Sequence, residues 1–496
     1  MHAISGPLAK LRPNNDQAFV AFHNAASLPL TEARAAHARR FMLVDYPSSE
    51  SRYSTQPDTP TKEDRQRLQT GKHDGCYLFN LSDRDPAKDH EWVAGSGDPT
   101  KPDSCQILLG HNDISAYNVM FAVCKTTGFM TLRVPSSAVR DVRVNGSKIT
   151  TASYCLNERR SRLQIGGLHF DFEYCPYSDS AEYLEERLAF LKLAYGNSVA
   201  ETLHHTPTPG RAESRIGQWT VSKQLGRGAH GKVYSATNSD GGVVAIKTMS
   251  HTKRAEKIAE TLANITRLAK ADGCIHVLYL LETIPTVSLH ASTNTPTPEV
   301  NFVLQPAVAF TLSEYSSSSS IQGHPTPLRL LRDILEGICF LHLHGFMHGD
   351  IKPPNIGVSN GHAILLDADD ARGLLHDQTV PPTPGHGGTV GWLAPERELR
   401  HYDQTVDVWA AGVVAFQLFF GHHPWMGENP WKPGNSHLRP DFEIKYGIAV
   451  QELEGRDAVV NDLILSMLRH PYTTTTNLGR RPNARNTLEH ACWKDL

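Results

Sequence analysis

The chain has 496 residues, of which 40% are hydrophobic and 20% charged, with a formal net charge of −3. The length favours two or three domains, and the near-neutral charge gives no bulk electrostatic reason to bind nucleic acid or a membrane surface. The eight cysteines include no C-x-x-C pair, so neither a disulfide framework nor a zinc ribbon is indicated. We therefore expect an intracellular protein, cytoplasmic or nuclear, with reduced thiols and no nucleic-acid or membrane partner.

The first 70 residues mix Pro, Ser, Thr, Asn and charged residues with little periodicity. A segment of this composition buries too little apolar surface to offset the chain entropy lost on folding. We therefore predict a disordered N-terminal tail over residues 1–70, in which only residues 33–44 have the composition of a short helix.

Residues 71–178 instead contain short β-rich segments separated by Gly, Asn, Asp and Ser turns. Residues 168–172 (L-H-F-D-F) alternate apolar and polar side chains, as a half-buried strand does. This spacing of strands predicts a small all-β sandwich.

The segments L-L-G-H, I-S-A-Y-N-V-M-F, V-R-V-N-G-S-K-I and L-Q-I-G-G-L-H-F-D-F occur in that order, and together they resemble a forkhead-associated (FHA) domain. That family binds phosphothreonine peptides, so the resemblance implies a protein or phosphopeptide partner. Three positions match the family's pattern, namely Gly110, Ser115 and the Asn145–Gly146 pair. His111 stands where the family has an Arg, and Asn118 where it has a His. Because phosphate recognition favours a permanently charged guanidinium, we predict a degenerate FHA-like domain with weak or no phosphothreonine binding.

Residues 179–215 are predicted to form a helix and a linker. The first part has helical spacing with Ser180 as a candidate N-cap, and T-P-T-P-G-R follows as a linker sequence.

Residues 225–233 (L-G-R-G-A-H-G-K-V) place three glycines between two apparent strands. Glycine allows backbone amides to approach phosphate groups closely. The sequence V-A-I-K follows at residues 244–247 and supplies a lysine for the same phosphates. Together these segments predict a nucleotide-binding hairpin, although either one alone is a weak signal.

Residues 348–355 (H-G-D-I-K-P-P-N) place Asp350, Lys352 and Asn355 on one loop, and Asp367 follows after a β-hairpin. This set suits phosphoryl transfer, which uses a carboxylate for the hydroxyl proton, a cation for the phosphate, and an amide plus a carboxylate for Mg²⁺. Any single Asp or Asn is commonly a turn former, but that role does not explain the ordered set.

At these segments, residues 216–493 resemble a eukaryotic-type serine/threonine protein kinase. The predicted fold class is therefore multidomain, with an FHA-like sandwich followed by an α+β bilobal protein-kinase fold. The resemblance implies ATP and Mg²⁺ as cofactors and proteins as substrates. It implies catalytic roles for Asp350, Lys352, Lys247 and Thr389, and metal binding by Asn355 and Asp367. The ATP contacts that it implies are Leu225, Gly226, Gly228, Gly231, Val233, Ala245, Lys247, Glu260, Gln305 and Ala307.

The acidic partner of Lys247 is the least determined of these residues. It belongs on the helix predicted at residues 252–270, where Glu260 is nearest the family's register and Glu256 is the alternative. The same resemblance predicts that Asp407 braces the catalytic loop and that Glu396 pairs with Arg481.

Two departures from the kinase pattern keep other hypotheses open. Gly349 replaces the usual Arg before the catalytic Asp, and D-A-D at residues 367–369 replaces D-F-G. One alternative is a pseudokinase scaffold that no longer orders the metal. The other is a phosphopeptide-binding FHA module with a vestigial kinase domain.

Overall fold

The computed structural model describes residues 6–45, 74–87, 90–98, 100–111, 114–135, 141–151, 153–196, 215–228, 231–289, 296–308, 310–315, 326–374, 378–383, 387–425, 435–455, 459–470 and 480–494. The chain folds into two compact units. The first comprises Met1–Leu225 and Tyr234–Val243, and the second comprises Gly226–Val233 and Val244–Leu496. Within the described ranges, no helix combines the length and the apolar character needed to cross a bilayer.

The first unit is rich in strands. They are β1 (Ala9–Pro13), β2 (Met42–Asp45), β3 (Asp74–Phe79), β4 (Glu91–Gly95), β5 (Ile107–Leu108), β6 (Val119–Val123), β7 (Met130–Arg133), β8 (Val142–Val144), β9 (Ser147–Lys148), β10 (Ser153–Leu156), β11 (Arg160–Ile165) and β12 (Leu168–Tyr174). One sheet has the order β2-β3-β1-β12-β11-β8-β9 and the other β10-β7-β6-β4-β5.

Aromatic side chains join the two sheets in one core. Phe79 of the first sheet lies 5.6 Å from Trp92 and 5.0 Å from Phe121 of the second, measured between ring centroids. All three side chains are fully buried. Buried aromatic residues contribute most of the apolar area in a core of this kind. The predicted strand-rich region with packed sheets is confirmed, whereas its assignment as FHA-like stays a prediction.

The prediction of a disordered tail is wrong for residues 6–45. Strand β1 lies between β3 and β12 in the larger sheet, and two helices follow it, α1 (Asp16–Ser27) and α2 (Ala33–Arg39). The buried residues of α1 recur with helical spacing: Ala18, Ala21, Phe22, Ala25 and Ala26. Composition averaged over 70 residues hid this short amphipathic pattern. The rest of the predicted tail, residues 46–70, lies outside the described residues.

Helix α3 (Ala181–Tyr195) follows the sandwich as predicted. The Ser180 hydroxyl accepts a hydrogen bond from the Tyr183 amide at 3.1 Å, so the predicted N-cap is confirmed. The predicted linker T-P-T-P-G-R lies outside the described residues.

The boundary of the first unit lies at Leu225, later than the domain boundary predicted at residues 215–216. The segment Tyr234–Val243 also belongs to this unit, through hydrogen bonds to β10 and the residue after it. The Asn157 amide donates to the Thr237 carbonyl at 3.1 Å and to its hydroxyl at 3.0 Å. The Cys155 amide donates to the Ser239 carbonyl at 2.6 Å. The compact unit therefore includes a turn that sequence motifs assign to the following domain.

A six-stranded sheet follows, with the order β13-β14-β15-β16-β18-β17. Its strands are β13 (Arg215–Ile216), β14 (Trp219–Gly228), β15 (Gly231–Thr237), β16 (Val243–Ser250), β17 (Tyr279–Leu289) and β18 (Pro296–Gln305). Helix α4 (Lys253–Asp272) lies between β16 and β17 in the chain, and its apolar face packs with Met249 and Phe302 of the sheet.

The rest of the second unit is mainly helical. Its helices are α5 (Leu312–Tyr315), α6 (Pro327–Leu343), α7 (Pro395–Leu399), α8 (Thr405–Phe420), α9 (Arg439–Glu454), α10 (Val459–Met467) and α11 (Ala484–Leu488). Five short strands lie among these helices in the chain: β19 (Phe310–Thr311), β20 (Phe346–Met347), β21 (Ile356–Ser359), β22 (His362–Leu365) and β23 (Arg372–Gly373). Helix α8 is apolar on nearly all sides and buried, as a core helix should be.

Candidate active site

The loop between β20 and β21 carries the predicted catalytic residues in a hydrogen-bonded cluster. The Lys352 ammonium donates to Asp350 Oδ2 at 2.8 Å and to Thr389 Oγ1 at 2.6 Å. The Thr389 hydroxyl donates to Asp350 Oδ1 at 2.7 Å. The Asn355 amide donates to Asp350 Oδ2 at 2.8 Å. Three predicted residues thus donate hydrogen bonds to one carboxylate: Lys352 and Asn355 from the same loop, and Thr389 from 39 positions further along the chain.

Asp407 holds the backbone of this loop from α8, as predicted. Its two carboxylate oxygens accept hydrogen bonds from the His348 amide at 2.8 Å and the Gly349 amide at 2.9 Å. His342 Nε2 lies 3.0 Å from the same carboxylate. Burial alone would raise the pKa of Asp407, but the hydrogen bond to His342 and the charge of nearby histidines lower it below its usual value. The brace is therefore a buried anion that keeps its charge.

Lys247 on β16 lies between two carboxylates that follow β22. Its ammonium is 2.5 Å from Asp367 Oδ1 and 2.7 Å from Asp369 Oδ1. The Lys247 side chain is 11% exposed and that of Asp369 is 7% exposed, so water screens the contact only weakly. This arrangement differs from the predicted lysine–glutamate pair.

The pKa values of the two carboxylates move in opposite directions. Although burial disfavours its charged form, the Lys247 ammonium lowers the pKa of Asp367. Burial, followed by the negative charge of Asp367, raises the pKa of Asp369. Desolvation works against the charged form of Lys247, but the two aspartates outweigh it and raise the pKa of that side chain. The single positive charge of Lys247 thus faces two adjacent carboxyl groups, and it cannot balance the charge of both when both are ionised.

Glu260 does not pair with Lys247, so that prediction is wrong for this structure. The buried face of α4 includes Ala255, Ile258 and Leu262, and Glu260 lies on the opposite, exposed side. A position two residues from each of two buried neighbours points away from them in a helix of 3.6 residues per turn. Glu256 is also exposed, and its carboxylate lies 3.7 Å from His251 Nε2.

Asp369 is the residue that sequence reasoning missed. It replaces the Gly of the D-F-G pattern, and it supplies a buried carboxylate to Lys247, whereas the buried face of α4 carries no acidic residue. The signal was present in the sequence, since the helix lacked a glutamate in register and D-A-D offered an extra acid. The missing glutamate on α4 and the extra aspartate of the D-A-D segment compensate for each other, and this becomes visible only when the two segments are compared.

The chemistry of this cluster suits a divalent cation. Asp369 Oδ2 is buried and accepts no hydrogen bond from the described residues, and a buried, unpaired carboxylate oxygen is costly. Asn355 is tied to the neighbourhood of Asp367 because the Leu366 amide donates to the Asn355 carbonyl at 2.8 Å. Carboxylate and amide oxygens are the ligands that Mg²⁺ takes in phosphoryl-transfer sites.

The predicted nucleotide contacts lie on the six-stranded sheet and the segment after it. Leu225, Gly226 and Gly228 are on β14, and Gly231 and Val233 are on β15. A Cβ atom on Gly231 would lie 2.2 Å from the Thr248 carbonyl oxygen, so no side chain fits there. Ala245 pairs with Leu304 across β16 and β18, one residue before Gln305 ends the strand, and Ala307 follows two residues later.

Gly349 occupies a backbone conformation that requires glycine. Its φ is +81°, and a Cβ atom there would lie 3.0 Å from the Asp370 carbonyl oxygen. The buried cation that the sequence lacks at this position comes instead from α7. The guanidinium of Arg397, which is 2% exposed, donates to the Gly349 carbonyl. The loop thus keeps a buried cation beside it without the usual arginine.

The predicted pair between Glu396 and Arg481 is confirmed. Both side chains are under 10% exposed and their charged groups are in direct contact. Arg481 also donates to the carbonyls of Thr405 and Arg469, at 3.1 and 3.0 Å. Its guanidinium lies 5.0 Å from the centroid of the Trp409 ring. Arg481 therefore links several elements of the helical region.

We expect Arg481→Met to lower the free energy of unfolding by about 3–5 kcal/mol, because it leaves the Glu396 carboxylate buried without a partner. The neighbouring Arg480→Met is the control. Arg480 pairs with Asp403 at 2.7 Å but is 85% exposed, so its loss should cost at most about 1 kcal/mol. Urea denaturation followed by circular dichroism measures both. Equal effects would show that the buried pair is not the stabilising contact.

A glycine-bearing hairpin, a lysine on the adjacent strand and a carboxylate–lysine–asparagine loop together define a protein kinase. The family model "Protein kinase domain" matches residues 219–492, more than half of the chain. The chain therefore belongs to the protein kinase family, and this part has its bilobal fold. Domains of this family bind ATP together with a divalent metal cation.

Several curated kinases are similar to this chain. Mitogen-activated protein kinase kinase kinase 3 from Arabidopsis thaliana is 26% identical over 296 residues, which cover 57% of this chain and 44% of that protein. Serine/threonine-protein kinase fused from Drosophila melanogaster is 29% identical over 213 residues, covering 42% of this chain and 25% of that protein. This chain thus spans less than half the length of these relatives.

Proposed function

We propose that this protein is a serine/threonine kinase that transfers the γ-phosphate of ATP to hydroxyl groups of proteins. The observation that carries the proposal is the triangle of hydrogen bonds among Asp350, Lys352 and Thr389, with sides of 2.6 to 2.8 Å. A hydroxyl-bearing residue bonded to both the catalytic aspartate and the lysine is the feature that the kinase resemblance associates with serine/threonine specificity. The names of the similar kinases support the same proposal.

In this proposal Asp350 orients the substrate hydroxyl and accepts its proton. Its carboxylate is 13% exposed, and Thr389, Lys352 and Asn355 fix its orientation. Orientation of a general base before reaction lowers the barrier because no rearrangement is needed in the transition state. Lys352, within reach of the same carboxylate, neutralises charge on the transferring phosphate.

Lys247 on β16 contacts the phosphates of the nucleotide, and Asp369 holds the lysine side chain in place. Asp367, Asn355 and the unpaired oxygen of Asp369 would hold Mg²⁺, which neutralises negative charge on the phosphate oxygens when bound. The D-A-D segment thus supplies a second carboxylate, that of Asp369, beside Asp367. The arrangement favours a catalytic kinase over the alternative of a scaffold that cannot order metal.

The strand-rich first unit carries the positions that resemble an FHA domain. Its Gly110 carbonyl accepts a hydrogen bond from Asn24 of α1 at 3.1 Å, and the Asn145 carboxamide oxygen accepts from the Arg162 amide at 2.8 Å. Two of the positions that match the FHA pattern are thus engaged within the unit. We propose that this unit serves protein contact, with phosphopeptide binding weak or absent, and that the protein acts inside the cell.

The acceptor specificity is tested with labelled ATP and three peptide libraries that differ only in a central Ser, Thr or Tyr. We expect transfer to Ser and Thr and at least tenfold less to Tyr. Thr389→Ser should retain most of the activity because it keeps the hydroxyl, whereas Thr389→Val should lose most of it. Equal transfer to Tyr, or full activity of Thr389→Val, would contradict the proposal.

A further inference from the structure

A second polar cluster in the kinase domain shares no residue with the proposed active site. His276 lies between α4 and β17, Asp333 and Glu336 lie one turn apart on α6, and His362 begins β22. One ligand atom from each of His276, Asp333 and His362 lies within 4.8 Å of the others. Among the described residues, these three His and Asp side chains form a group whose spacing could hold a metal ion. The Glu336 carboxylate lies beside them, with Oε2 3.1 Å from His276 Nε2.

The hydrogen bonds of His276 determine which of its nitrogens faces the cluster. Nδ1 lies 3.0 Å from the Ala363 carbonyl oxygen, and a carbonyl can only accept, so Nδ1 carries the proton. The other nitrogen, Nε2, lies 3.1 Å from Glu336 Oε2 and 4.0 Å from Asp333 Oδ1. Ionised carboxylates also only accept. The neutral ring would therefore bring a lone pair and carboxylate oxygens together, and a cation is needed between them.

A metal ion between His276 Nε2 and the carboxylates would supply that positive charge. A tetrahedral Zn²⁺ site holds nitrogen and oxygen ligands at about 2.0–2.2 Å, which places neighbouring ligand atoms roughly 3.3 Å apart. The 3.1 Å separation between His276 and Glu336 is close to this value. So is the 3.1 Å separation between His362 Nδ1 and Asp333 Oδ2. The two pairs are 4.0 Å apart between His276 Nε2 and Asp333 Oδ1, so they would have to move closer together to share one ion.

The surroundings have the outer contacts that a metal site needs. The bond from His276 Nδ1 to a backbone carbonyl is the contact by which ligating histidines are oriented. The Ala363 amide donates to Asp333 Oδ2 at 3.0 Å and fixes that carboxylate. Arg332 pairs with Glu336 Oε1 at 3.0 Å, which leaves Oε2 for the cluster.

We propose that His276, Asp333, Glu336 and His362 form a binding site for a divalent transition metal, with Zn²⁺ as the ion that this ligand set suits. Two nitrogen and two carboxylate ligands match its preferences. The side chains of His276 and Asp333 are 10% and 8% exposed, whereas those of His362 and Glu336 are 31% and 37% exposed, so an ion can enter from that side. The bound ion would tie the loop after α4 to α6 and to the β21–β22 hairpin.

The test uses the full chain, freed of metal by a chelator and kept in excess Mg²⁺ so that the active-site carboxylates are occupied. We expect one equivalent of Co²⁺ to give the visible absorption bands of four-coordinate cobalt, and Zn²⁺ to displace it. Zn²⁺ at about 100 times its Kd should raise the Tm by roughly 5 °C, since it binds the folded state alone. His362→Gln should raise the Kd for Co²⁺ and for Zn²⁺ at least tenfold.

His344→Gln is the matched control, because His344 Nε2 lies 2.7 Å from Asp272 Oδ2 in a histidine–carboxylate pair outside the cluster. It should bind Co²⁺ and Zn²⁺ as the unaltered protein does. His362 is partly exposed, so its replacement is expected to fold, which circular dichroism verifies. Unchanged metal binding in His362→Gln would place the ion elsewhere, and no binding to the unaltered protein would show that the cluster does not bind a metal. Either result overturns the proposal.

Discussion

Asp350→Asn should lower kcat for phosphoryl transfer by about 10²–10⁴-fold while the Kd for ATP changes little. The substitution removes the group that accepts the hydroxyl proton, and it leaves the glycine-bearing hairpin and Lys247 as they are. Asparagine keeps the shape of aspartate but offers one acceptor oxygen where Lys352 and Thr389 now use two. Single-turnover assays with labelled ATP measure the transfer step, and calorimetry measures nucleotide binding.

The control for this experiment is Asp272→Asn, the same chemical change at the end of α4. Asp272 is 51% exposed and contacts His344, so kcat should stay within about twofold of the unaltered protein. Circular dichroism on both variants excludes loss of fold as the cause. If Asp350→Asn transferred phosphate at the unaltered rate, Asp350 would not be the proton acceptor and the proposed mechanism would fail.

Asp369→Asn should lower kcat/KM for ATP by about 10- to 100-fold. This carboxylate holds the Lys247 ammonium at 2.7 Å from a nearly buried position, and a hydrogen bond to a charged group contributes roughly 1.5–3 kcal/mol. Without it Lys247 would pair with Asp367 alone, in competition with the metal. We therefore also expect the Mg²⁺ concentration required for half-maximal activity to rise. Steady-state assays at varied ATP and Mg²⁺ measure both quantities.

Glu260→Gln and Glu256→Gln are the matched controls for this prediction, because both glutamates are exposed on α4. Each should leave kcat/KM within about twofold. A loss in Glu260→Gln as large as that in Asp369→Asn would mean that α4 turns during the reaction and that Lys247 exchanges partners. In that case the predicted lysine–glutamate pair would exist in the active state and not in this one.

The catalytic loop was predictable from sequence because its chemistry is local. Asp350, Lys352 and Asn355 lie within six residues, so the loop that joins β20 to β21 brings them together whatever the rest of the chain does. Asp367 follows one hairpin later, and that distance is also short. The glycines of residues 225–233 carry information of the same kind, since the close approach of backbone amides to phosphates depends on glycine at positions only a few residues apart.

Contacts between distant segments were predicted only where a family resemblance supplied the pairing, as for Glu396 with Arg481. Where this chain departs from the family, the pairing depends on which face of α4 is buried, and that face is decided by packing against the sheet. The rotation of α4 turns Glu260 away from the sheet, and Lys247 pairs with Asp367 and Asp369 instead. Sequence spacing alone cannot fix such a rotation to within one residue, because one residue corresponds to about 100° around the helix.

The first unit shows the same difference between local patterns, which the sequence reveals, and contacts between distant segments, which it does not. The sequence determined that residues 71–178 are rich in strands, because alternation is a local pattern. That β1 lies between β3 and β12 was decided by pairing across more than 60 and 150 positions, respectively. A five-residue strand carries too little pattern to be distinguished from a disordered segment, and it is the hydrogen bonds of its two neighbours and the burial of Leu11 that stabilise it.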